Sequence, residues 1–369
     1  MRGNRDGGQE VFKRGDPLLN LPAPNPQPPT LNPQPPTPSP LRVSVVVPVR
    51  NGGDAFHQCL LALGQADPPA DELIVVTDGD TQGSGDLAKS FGATVYSTSV
   101  PSGPAAARNL GASQASGDIV FFVDADVVLH PDAIGRVHTT FDQFPEIVAV
   151  FGSYDTQPGA PNFLSQYRNL LHHYVHQTAC EDASTFWSGC GAIRRSVFLE
   201  IGGFDAQTYR TPCIEDIALG YHLRAQGFQI RLDKQLQCRH LKEWRPWSML
   251  KADFWYRAVP WTLLILRSKG FVNDLNVQTS SRLCVALTFL LILSAGSGWW
   301  WPVMWAVTMV CALVLFVLNR ELYLFYYHLR GFPFTFLAVF WHWLYFFYSG
   351  LAFIFGCMLH LFNLSKPSL

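Results

Sequence analysis

The sequence lacks a basic surplus, closely spaced cysteines and an apolar segment near its first residue. The formal net charge is −1 and charged residues make up 15% of the chain, so nothing indicates a nucleic-acid partner. None of the eight cysteines stands in a Cys-x-x-Cys pair, so neither a zinc site nor a disulfide framework is expected. They are most simply buried reduced thiols of a cytosolic domain. The missing apolar segment gives no sign of a secretory signal peptide.

Residues 1–41 are rich in proline and almost free of aromatic residues. The segment at residues 25–30 recurs at residues 32–37. Because proline fixes φ and removes a hydrogen-bond donor, we expect this tract to be an extended, disordered tail without a core. It is consistent with a ligand for a proline-binding module or with a passive tail.

Between residues 42 and 240, strand-like apolar runs alternate with helical patterns. This order predicts an α/β fold with a mostly parallel sheet and helices on both faces. We expect Pro48 to stop the first strand and Asp54 to cap the first helix. The predicted strands are residues 43–47, 73–77, 94–96 and 119–123, and the predicted helices are near residues 54–66, 86–91 and 104–114.

The strand at residues 119–123 ends in two carboxylates, Asp124 and Asp126. Open α/β sheets bind ligands at the carboxyl ends of their strands. Two carboxylates this close repel each other unless a cation joins them. Mg²⁺ or Mn²⁺, with phosphate oxygens completing its shell, suits such a pair. An acidic strand end without function is the alternative.

A series of short motifs resembles, in its order, family 2 glycosyltransferases. The motifs are Val43 to Asn51, Glu72 to Asp80, Ala107 to Gly111, Gly117 to Asp126, Gly189 to Arg195, Gly202 to Asp205, Glu215-Asp216 and His240. The resemblance implies a Rossmann-like GT-A fold for residues 42–240, a nucleotide-sugar donor and Mg²⁺ or Mn²⁺ as the cofactor. It also implies transfer with inversion of the anomeric centre.

The resemblance implies a donor site on these motifs. Asp78 matches the residue that hydrogen-bonds the base in relatives with a uridine donor, although Thr77 replaces the acid that more often precedes it. Arg108 is expected to pair with the diphosphate. A turn aspartate before Gly79 and a surface salt bridge are the respective alternatives. The expected donor-binding residues are Pro48, Arg50, Asn51, Asp78, Arg108 and Asp124.

The resemblance further implies a metal site made of three residues. Asp124 matches the residue that faces the ribose and the metal, and Asp126 matches the principal metal ligand. His240 matches a late histidine that meets the metal or the diphosphate in many GT-A enzymes. A purely structural histidine is the alternative for His240.

Glu215 and Asp216 are the expected catalytic residues, with Asp216 as the general base. An acceptor hydroxyl must lose its proton as it attacks, and a carboxylate opposite the leaving diphosphate can take that proton in one in-line step. The alternative is helix capping, because acids favour a helix N-terminus. Trp187 and Gly189 are expected to shape the acceptor pocket, with a core tryptophan as the alternative for Trp187.

The last third of the chain is apolar. Residues 241–282 mix tryptophans with arginine and lysine, which predicts a segment at the lipid headgroup boundary or, alternatively, a soluble helical subdomain. Residues 283–369 predict a membrane region with about three transmembrane helices, near residues 283–297, 302–318 and 334–362. Basic residues precede the first span and lie between the second and third, whereas the turn between the first two spans has no charge. We therefore expect a multi-pass cell-membrane protein with a cytoplasmic catalytic domain.

Three functions remain open from the sequence. Processive polysaccharide synthases of this family carry Gln-x-x-Arg-Trp before their channel helices, and this chain has only Asp253-Phe-Trp-Tyr-Arg257-Ala. A single transfer to a lipid or lipid-linked acceptor is therefore the preferred interpretation. A processive synthase and a catalytically inactive membrane scaffold that binds nucleotide sugars are the alternatives.

Overall fold

The structure is a computed structural model that describes residues 41–268 and 279–362. The predicted proline-rich tail lies outside these ranges apart from Leu41. The described strands are β1 (Val43–Val49), β2 (Glu72–Asp78), β3 (Thr94–Thr98), β4 (Ile119–Val123), β5 (Val127–Leu129), β6 (Ile147–Tyr154), β7 (Asp182–Ala183), β8 (Cys190–Arg194) and β9 (Gln229–His240).

Helices surround the sheet and make up most of the described residues that follow it. Those of the first part are α1 (Gly53–Gly64), α2 (Ser84–Ser90), α3 (Pro104–Gln114), α4 (Ala133–Gln143), α5 (Phe163–Thr178), α6 (Arg195–Glu200) and α7 (Glu215–Ala225). Those that follow are α8 (Pro246–Lys251), a π-helical stretch (Ala252–Ala258), α9 (Val259–Arg267), α10 (Thr279–Ser297), α11 (Val303–Leu318) and α12 (Arg320–Leu361).

The described strands form one sheet in the order β3-β2-β1-β4-β8-β6-β9-β5, and β7 pairs with β9. Strands β1 to β4 are mutually parallel. Strand β8 is antiparallel to both β4 and β6, and β9 is parallel to β6. Most strands therefore point the same way, and the predicted α/β, GT-A-type architecture is confirmed.

The central strand β4 is buried on both faces, as its unbroken apolar run predicts. Successive side chains of a strand point to opposite faces of the sheet. Ile119, Phe121 and Val123 accordingly join one hydrophobic core, and Val120 and Phe122 join the other. Helices cover both faces, and this cover fixes the position of the strand's carboxyl end, where the two acids follow.

Two local predictions at the start of the sheet are wrong. Strand β1 continues through Pro48 to Val49. The ladder to β4 ends at the pair Val46 and Phe122, so the missing N–H of Pro48 breaks no hydrogen bond on that side. Asp54 lies in the first turn of α1 but makes no capping hydrogen bond, because the helix begins at Gly53.

The C-terminal helices include two that are long and apolar enough to cross a membrane, α10 and α12. Helix α11 is shorter, with 16 residues. Helix α12 bends at Gly331, whose φ is 77°. The segment before the bend packs its buried Tyr323 and Tyr326 together with Tyr167 of α5, so this segment of α12 lies against the α/β domain.

Candidate active site

A cavity of 1090 Å³ opens at the carboxyl ends of β1, β2 and β4. Every residue predicted for the donor, metal and catalytic sites lines it, and so does Trp187. Gly189 is the exception. The sheet brings these residues together because β1, β2 and β4 are parallel neighbours, so the segments that follow them leave at the same edge.

Asp78 holds the loop that follows β3. Its Oδ1 accepts hydrogen bonds from the hydroxyls of Thr98 and Ser102 and from the Ser102 N–H, each at 2.7 Å. Its Oδ2 accepts one from the Gly103 N–H at 2.8 Å. Burial opposes ionisation, but these hydrogen bonds outweigh it and hold the pKa of Asp78 below its usual value. Asp78 is thus an ionised carboxylate in the wall of the cavity.

Asn51 has a positive φ of 55° and ties the loop after β1 to the loop after β2. Its side-chain oxygen accepts the Thr81 N–H at 2.9 Å. Its own N–H donates to Asp80 Oδ1 at 2.8 Å, and Asp80 also accepts from Ser84. Asn51 therefore shapes the rim of the predicted donor site through its neighbours. Asp80, which ends the motif Glu72 to Asp80, belongs to this rim, although the sequence analysis assigned it no role.

Arg108 is buried between two carboxylates. Its Nη2 lies 2.6 Å from Asp124 Oδ1, and its Nη1 lies 2.9 Å from Glu215 Oε1. The other oxygen of Glu215 accepts the Cys213 N–H. Arg108 is only 4% exposed, so the surface salt bridge considered as its alternative is wrong. The guanidinium instead joins the end of β4 to the start of α7.

Asp126 lies beside His240 in the cavity wall, with 3.5 Å between Oδ2 and Nε2. The Asn169 amide donates to the Ser165 carbonyl, so its Oδ1 is the atom that meets His240 Nδ1, at 3.1 Å. Nδ1 therefore carries the proton, and the lone pair of a neutral His240 points at the Asp126 carboxylate. These two groups would repel each other without a cation or proton between them.

This arrangement fits a divalent cation with few protein ligands. A metal-binding histidine usually donates its other ring N–H to an oxygen, as His240 does to Asn169. Asp124 has one oxygen on Arg108 and is a third exposed. No group of three His, Cys, Asp or Glu side chains within the described ranges is gathered closely enough to hold a metal alone. Such a site depends on phosphate oxygens of a ligand, as Mg²⁺ sites commonly do.

Asp216 lies at the N-terminus of α7, next to Glu215. Its Oδ2 accepts hydrogen bonds from the N–H and hydroxyl of Ser188, at 3.1 and 3.3 Å. Burial and the charge of Glu215 raise the pKa of Asp216 to about 7, although Arg108 opposes the shift. A carboxylate whose pKa lies near neutrality is suited to accept a proton at physiological pH.

Gly189 leaves room for the indole of Trp187. A Cβ at Gly189 would lie 2.7 Å from indole carbons of Trp187, so only glycine allows the ring to lie in this place. The Gly189 carbonyl also accepts the Asp124 N–H at 3.2 Å. The two residues predicted for the acceptor pocket therefore pack against each other. Trp187 lines the cavity, and Gly189 does not.

The comparisons with known proteins decide the family of this part of the chain. The model of glycosyl transferase family 2 matches residues 44–202. Residues 44–202 form a family 2 glycosyltransferase domain. The resemblance read from the motifs is thereby confirmed. Asp216 and His240 lie beyond the matched residues, although the fold places both in the cavity of the family 2 domain.

The relatives of the family 2 domain share only part of their length with this chain. Glycosyltransferase GlyA of Streptococcus pneumoniae is 27% identical over 149 residues, which are 39% of this chain and 21% of GlyA. Glucosyl-dolichyl phosphate glucuronosyltransferase of Haloferax volcanii is 26% identical over 155 residues, 38% of this chain and 47% of the relative. The mannosyltransferase PcManGT from Pyrobaculum calidifontis, solved with GDP-Man and Mn²⁺, has a TM-score of 0.47, 16% identity and 88% coverage of each chain.

The cavity contains residues that the sequence reasoning missed. Arg168, His172 and His176 follow one another at four-residue spacing on α5, and all three line it. This spacing places polar side chains on one face of a helix and is the signal that could have found them. Asp253 of the π-helical stretch is a further missed residue, buried and held 2.9 Å from Arg168.

The cavity reaches the apolar helices beyond the family 2 domain. Its far end is lined by Ile265 of α9, Val285 of α10, and Phe346 and Phe353 of α12. The charged end and the apolar end thus belong to one continuous space. The lining changes from carboxylates at the strand ends to a mainly apolar wall between the C-terminal helices, which also includes Thr262, Ser281, Arg282 and Ser349.

Proposed function

We propose that this protein is a membrane-anchored, inverting glycosyltransferase. It transfers a sugar from a nucleotide donor, expected to be UDP-linked, to a hydroxyl of a lipid or lipid-linked acceptor. The observation that carries the proposal is the single cavity that joins Asp124, Asp126 and Asp216 to the apolar residues between α9, α10 and α12. An amphipathic acceptor fits such a space, with its hydroxyl at the acids and its chain between the helices.

The donor end supplies charge stabilisation. Asp126 and His240 would hold Mg²⁺ or Mn²⁺ together with Asp124, and the ion would neutralise charge on the leaving diphosphate. Arg108 holds Asp124 in place and adds a buried positive charge next to it. Glu215, with both oxygens occupied by Arg108 and Cys213, acts as a positioning residue and not as a proton acceptor.

The acceptor end supplies the base. Asp216, held by Ser188, takes the proton of the acceptor hydroxyl as the hydroxyl oxygen attacks the anomeric carbon and the diphosphate leaves. A single displacement of this kind inverts the anomeric centre. The chain keeps both the base Asp216 and the metal-binding acids Asp124 and Asp126, which favours an enzyme over an inactive scaffold.

Exposed hydrocarbon on the C-terminal helices supports membrane anchoring. Leu293 on α10, and Met309 and Leu313 on α11, are each more than 60% exposed. Large contiguous apolar surfaces of this kind need lipid or a partner to cover them. The exposed Trp299, Trp300 and Trp301 join α10 to α11, as an aromatic belt at a membrane surface would.

Arg330, next to the bend of α12, supports an orientation in the membrane. Its guanidinium donates to the Thr156 carbonyl at 2.8 Å and to the Gln166 side chain at 2.9 Å. These contacts keep the segment between α11 and the bend beside the family 2 domain, so both lie on the same side of the membrane. The basic residues around the first span favour the cytoplasmic side, where nucleotide sugars are available.

The relative from Haloferax volcanii supports the acceptor class. Its name describes transfer of a glucuronosyl group to glucosyl-dolichyl phosphate, which is a lipid-linked sugar.

The test is a screen of the purified full-length protein against a panel of nucleotide sugars, with membrane lipid extract in vesicles. Release of nucleoside diphosphate from one donor, together with sugar in the lipid fraction, is the expected result. Consumption of a donor into long water-soluble chains would instead identify a processive synthase. Binding of donors without turnover would identify a scaffold.

A further inference from the structure

The two parts of the chain that line the cavity contribute charge of opposite sign. From the residues up to His240, five acids and four arginines line it. Among the described residues after His240, the cations Lys242, Arg257 and Arg282 line it, against the single acid Asp253. The C-terminal part of the chain therefore adds positive charge to a cavity that is acidic at the strand ends.

Asp253 is already neutralised by Arg168 of α5. The Arg168 Nη2 lies 2.9 Å from Asp253 Oδ1, and its Nη1 donates to Oδ2 at 3.3 Å. The hydroxyl of Tyr348 in α12 also donates to Oδ2, at 2.8 Å. The side chains of Arg168 and Asp253 are only 15% and 5% exposed. Asp253 thus has its charge balanced and both oxygens engaged without a second cation.

Arg257 is the second cation beside Asp253. Its Nη1 lies 3.7 Å from Asp253 Oδ1, which is too far for a hydrogen bond, and its side chain is 44% exposed. Asp253, Arg257, Trp261 and Ile265 follow one another at four-residue spacing, and all four line the cavity. This spacing places side chains on one face of a helical stretch. The face therefore changes from charged to apolar within two turns after Arg257.

A hydrogen bond connects this face to the helix of the proposed base. The Trp261 Nε1–H donates to the hydroxyl of Tyr221 at 3.2 Å. Tyr221 lies on α7, which begins with Glu215 and Asp216. Because Arg257 precedes Trp261 by one turn, it stands at the border between the acidic end and the apolar end of the cavity.

The other two cations stand on other elements. Lys242 follows β9 by two residues, and its Nζ lies 4.6 Å from the centroid of the Trp244 ring. Arg282 lies in the first turn of α10. Both add positive charge to the cavity, but Arg257 is the cation on the helical face that leads to the apolar end.

We propose that Arg257 binds an oxyanion, a phosphate or a carboxylate, which the acceptor carries between its reacting hydroxyl and its apolar chain. A guanidinium presents its N–H groups in a fork that matches either oxyanion. The hydroxyl then lies at Asp216, and the chain lies along Trp261 and Ile265. This inference rests on the proposed function and specifies its acceptor as an anionic amphiphile. Arg257 is a specificity-determining residue of the reaction.

The test measures binding without catalysis. Full-length protein in phosphatidylcholine nanodiscs is titrated with tritiated decyl phosphate or tritiated decanol, and empty nanodiscs give the background. The wild type should bind decyl phosphate saturably and more tightly than decanol. Arg257→Gln keeps an N–H donor and removes the charge, so it should weaken binding of decyl phosphate about threefold to tenfold and leave binding of decanol unchanged. Arg257→Lys keeps the charge and should recover most of the loss.

Arg245→Gln is the matched control. Arg245 lies in the same segment of the chain, its side chain is 79% exposed, and it does not line the cavity. This variant should bind decyl phosphate like the wild type. An equal loss in Arg245→Gln would assign the effect to the general charge of the surface and overturn the inference. Equal binding of decyl phosphate by Arg257→Gln and the wild type, or equal affinity of the wild type for decyl phosphate and decanol, would also overturn it.

The donor is the other source of phosphate in this cavity, and inorganic pyrophosphate with Mn²⁺ separates the two sources. Pyrophosphate should bind equally well to the wild type and to Arg257→Gln, and it should not displace decyl phosphate. Displacement together with weaker binding of pyrophosphate by Arg257→Gln would assign Arg257 to the donor and overturn the inference. Donor turnover is scored separately. A protein that glycosylates an uncharged lipid but does not prefer decyl phosphate to decanol retains the proposed function and loses this inference.

Discussion

Replacing Asp216 with asparagine tests the proposed base most sharply. The amide keeps the size of the side chain and can still accept the hydrogen bonds from Ser188, but it cannot take a proton. We expect kcat to fall by a factor on the order of 10² to 10⁴, the usual contribution of a general base. Donor affinity should stay near the wild-type value, because Asp216 is held by Ser188 and Ile217, whereas Asp124 and Asp126 are held by Arg108 and His240.

The raised pKa of Asp216 predicts a pH dependence of both the reaction rate and the stability of the fold. The wild-type rate should rise with pH through about 7, as Asp216, whose pKa is raised to about 7, loses its proton.

The same pKa affects the stability of the fold. The folded protein binds the proton of Asp216 more tightly than the unfolded chain, so the contribution of this proton to stability is complete at low pH and is lost as the pH rises through about 7. The shift from 3.8 to about 7 sets a ceiling of about 4 kcal/mol. Asp216→Asn should abolish this dependence.

The assays are nucleoside diphosphate release at pH 5 to 9 and thermal melting over the same range without donor. The Tm of Asp216→Asn should increasingly exceed that of the wild type as the pH rises. Asp54→Asn is the matched control, since Asp54 is an exposed acid in the first turn of α1. If Asp216→Asn keeps near wild-type turnover, Asp216 only caps α7 and the proposed base is refuted.

Three further predictions concern the metal site, the acceptor wall and the buried ion pair. Asp126→Asn should abolish Mn²⁺-stimulated diphosphate release, because an amide binds the ion far less well than a carboxylate; full activity in EDTA would contradict this. Gly189→Ala should raise the acceptor KM and lower the Tm, since overpacking against Trp187 costs about 1–3 kcal/mol; unchanged values of both would be the opposing result. Arg108→Met should destabilise the fold by about 3–5 kcal/mol in denaturant melts, because Glu215 loses its buried partner; a wild-type midpoint would disprove the role assigned to Arg108.

The first half of the sheet was predictable because its signals are local. The apolar run of β4 and the acids after it are adjacent in the chain, so Asp124 and Asp126 could be placed at a strand end from sequence. Helix α3 was predicted with its observed bounds, Pro104–Gln114, because a proline at the first turn and a polar end mark both termini.

The second half of the site was less predictable because its contacts are long-range. Arg108 and Glu215 are 107 positions apart, and no local pattern shows that both are buried. Asp253 pairs with Arg168, which is 85 positions away in the chain. Asp253 also lies in a π-helical stretch that the sequence did not predict. The insertion of the antiparallel β8 between β4 and β6 is likewise a property of the whole sheet.

The helix bounds in the structure differ from those of the predicted spans, because long-range packing also affects this part of the chain. The third predicted span, residues 334–362, is the part of α12 after the bend at Gly331. The residues before the bend are apolar enough to extend the helix, but they pack on α5. Hydropathy alone cannot distinguish a helix surface that faces lipid from one that faces another part of the same protein.

The most direct test of the central claim is the fate of the sugar. The full-length protein is incubated with Mn²⁺, membrane lipid extract and radiolabelled nucleotide sugars, one at a time, and the products are partitioned between organic solvent and water. We predict that label from one donor enters the organic phase with inverted anomeric configuration, and that Asp216→Asn slows this transfer by a factor on the order of 10² to 10⁴. Label that appears only as water-soluble product, or transfer with retained configuration, would contradict the account.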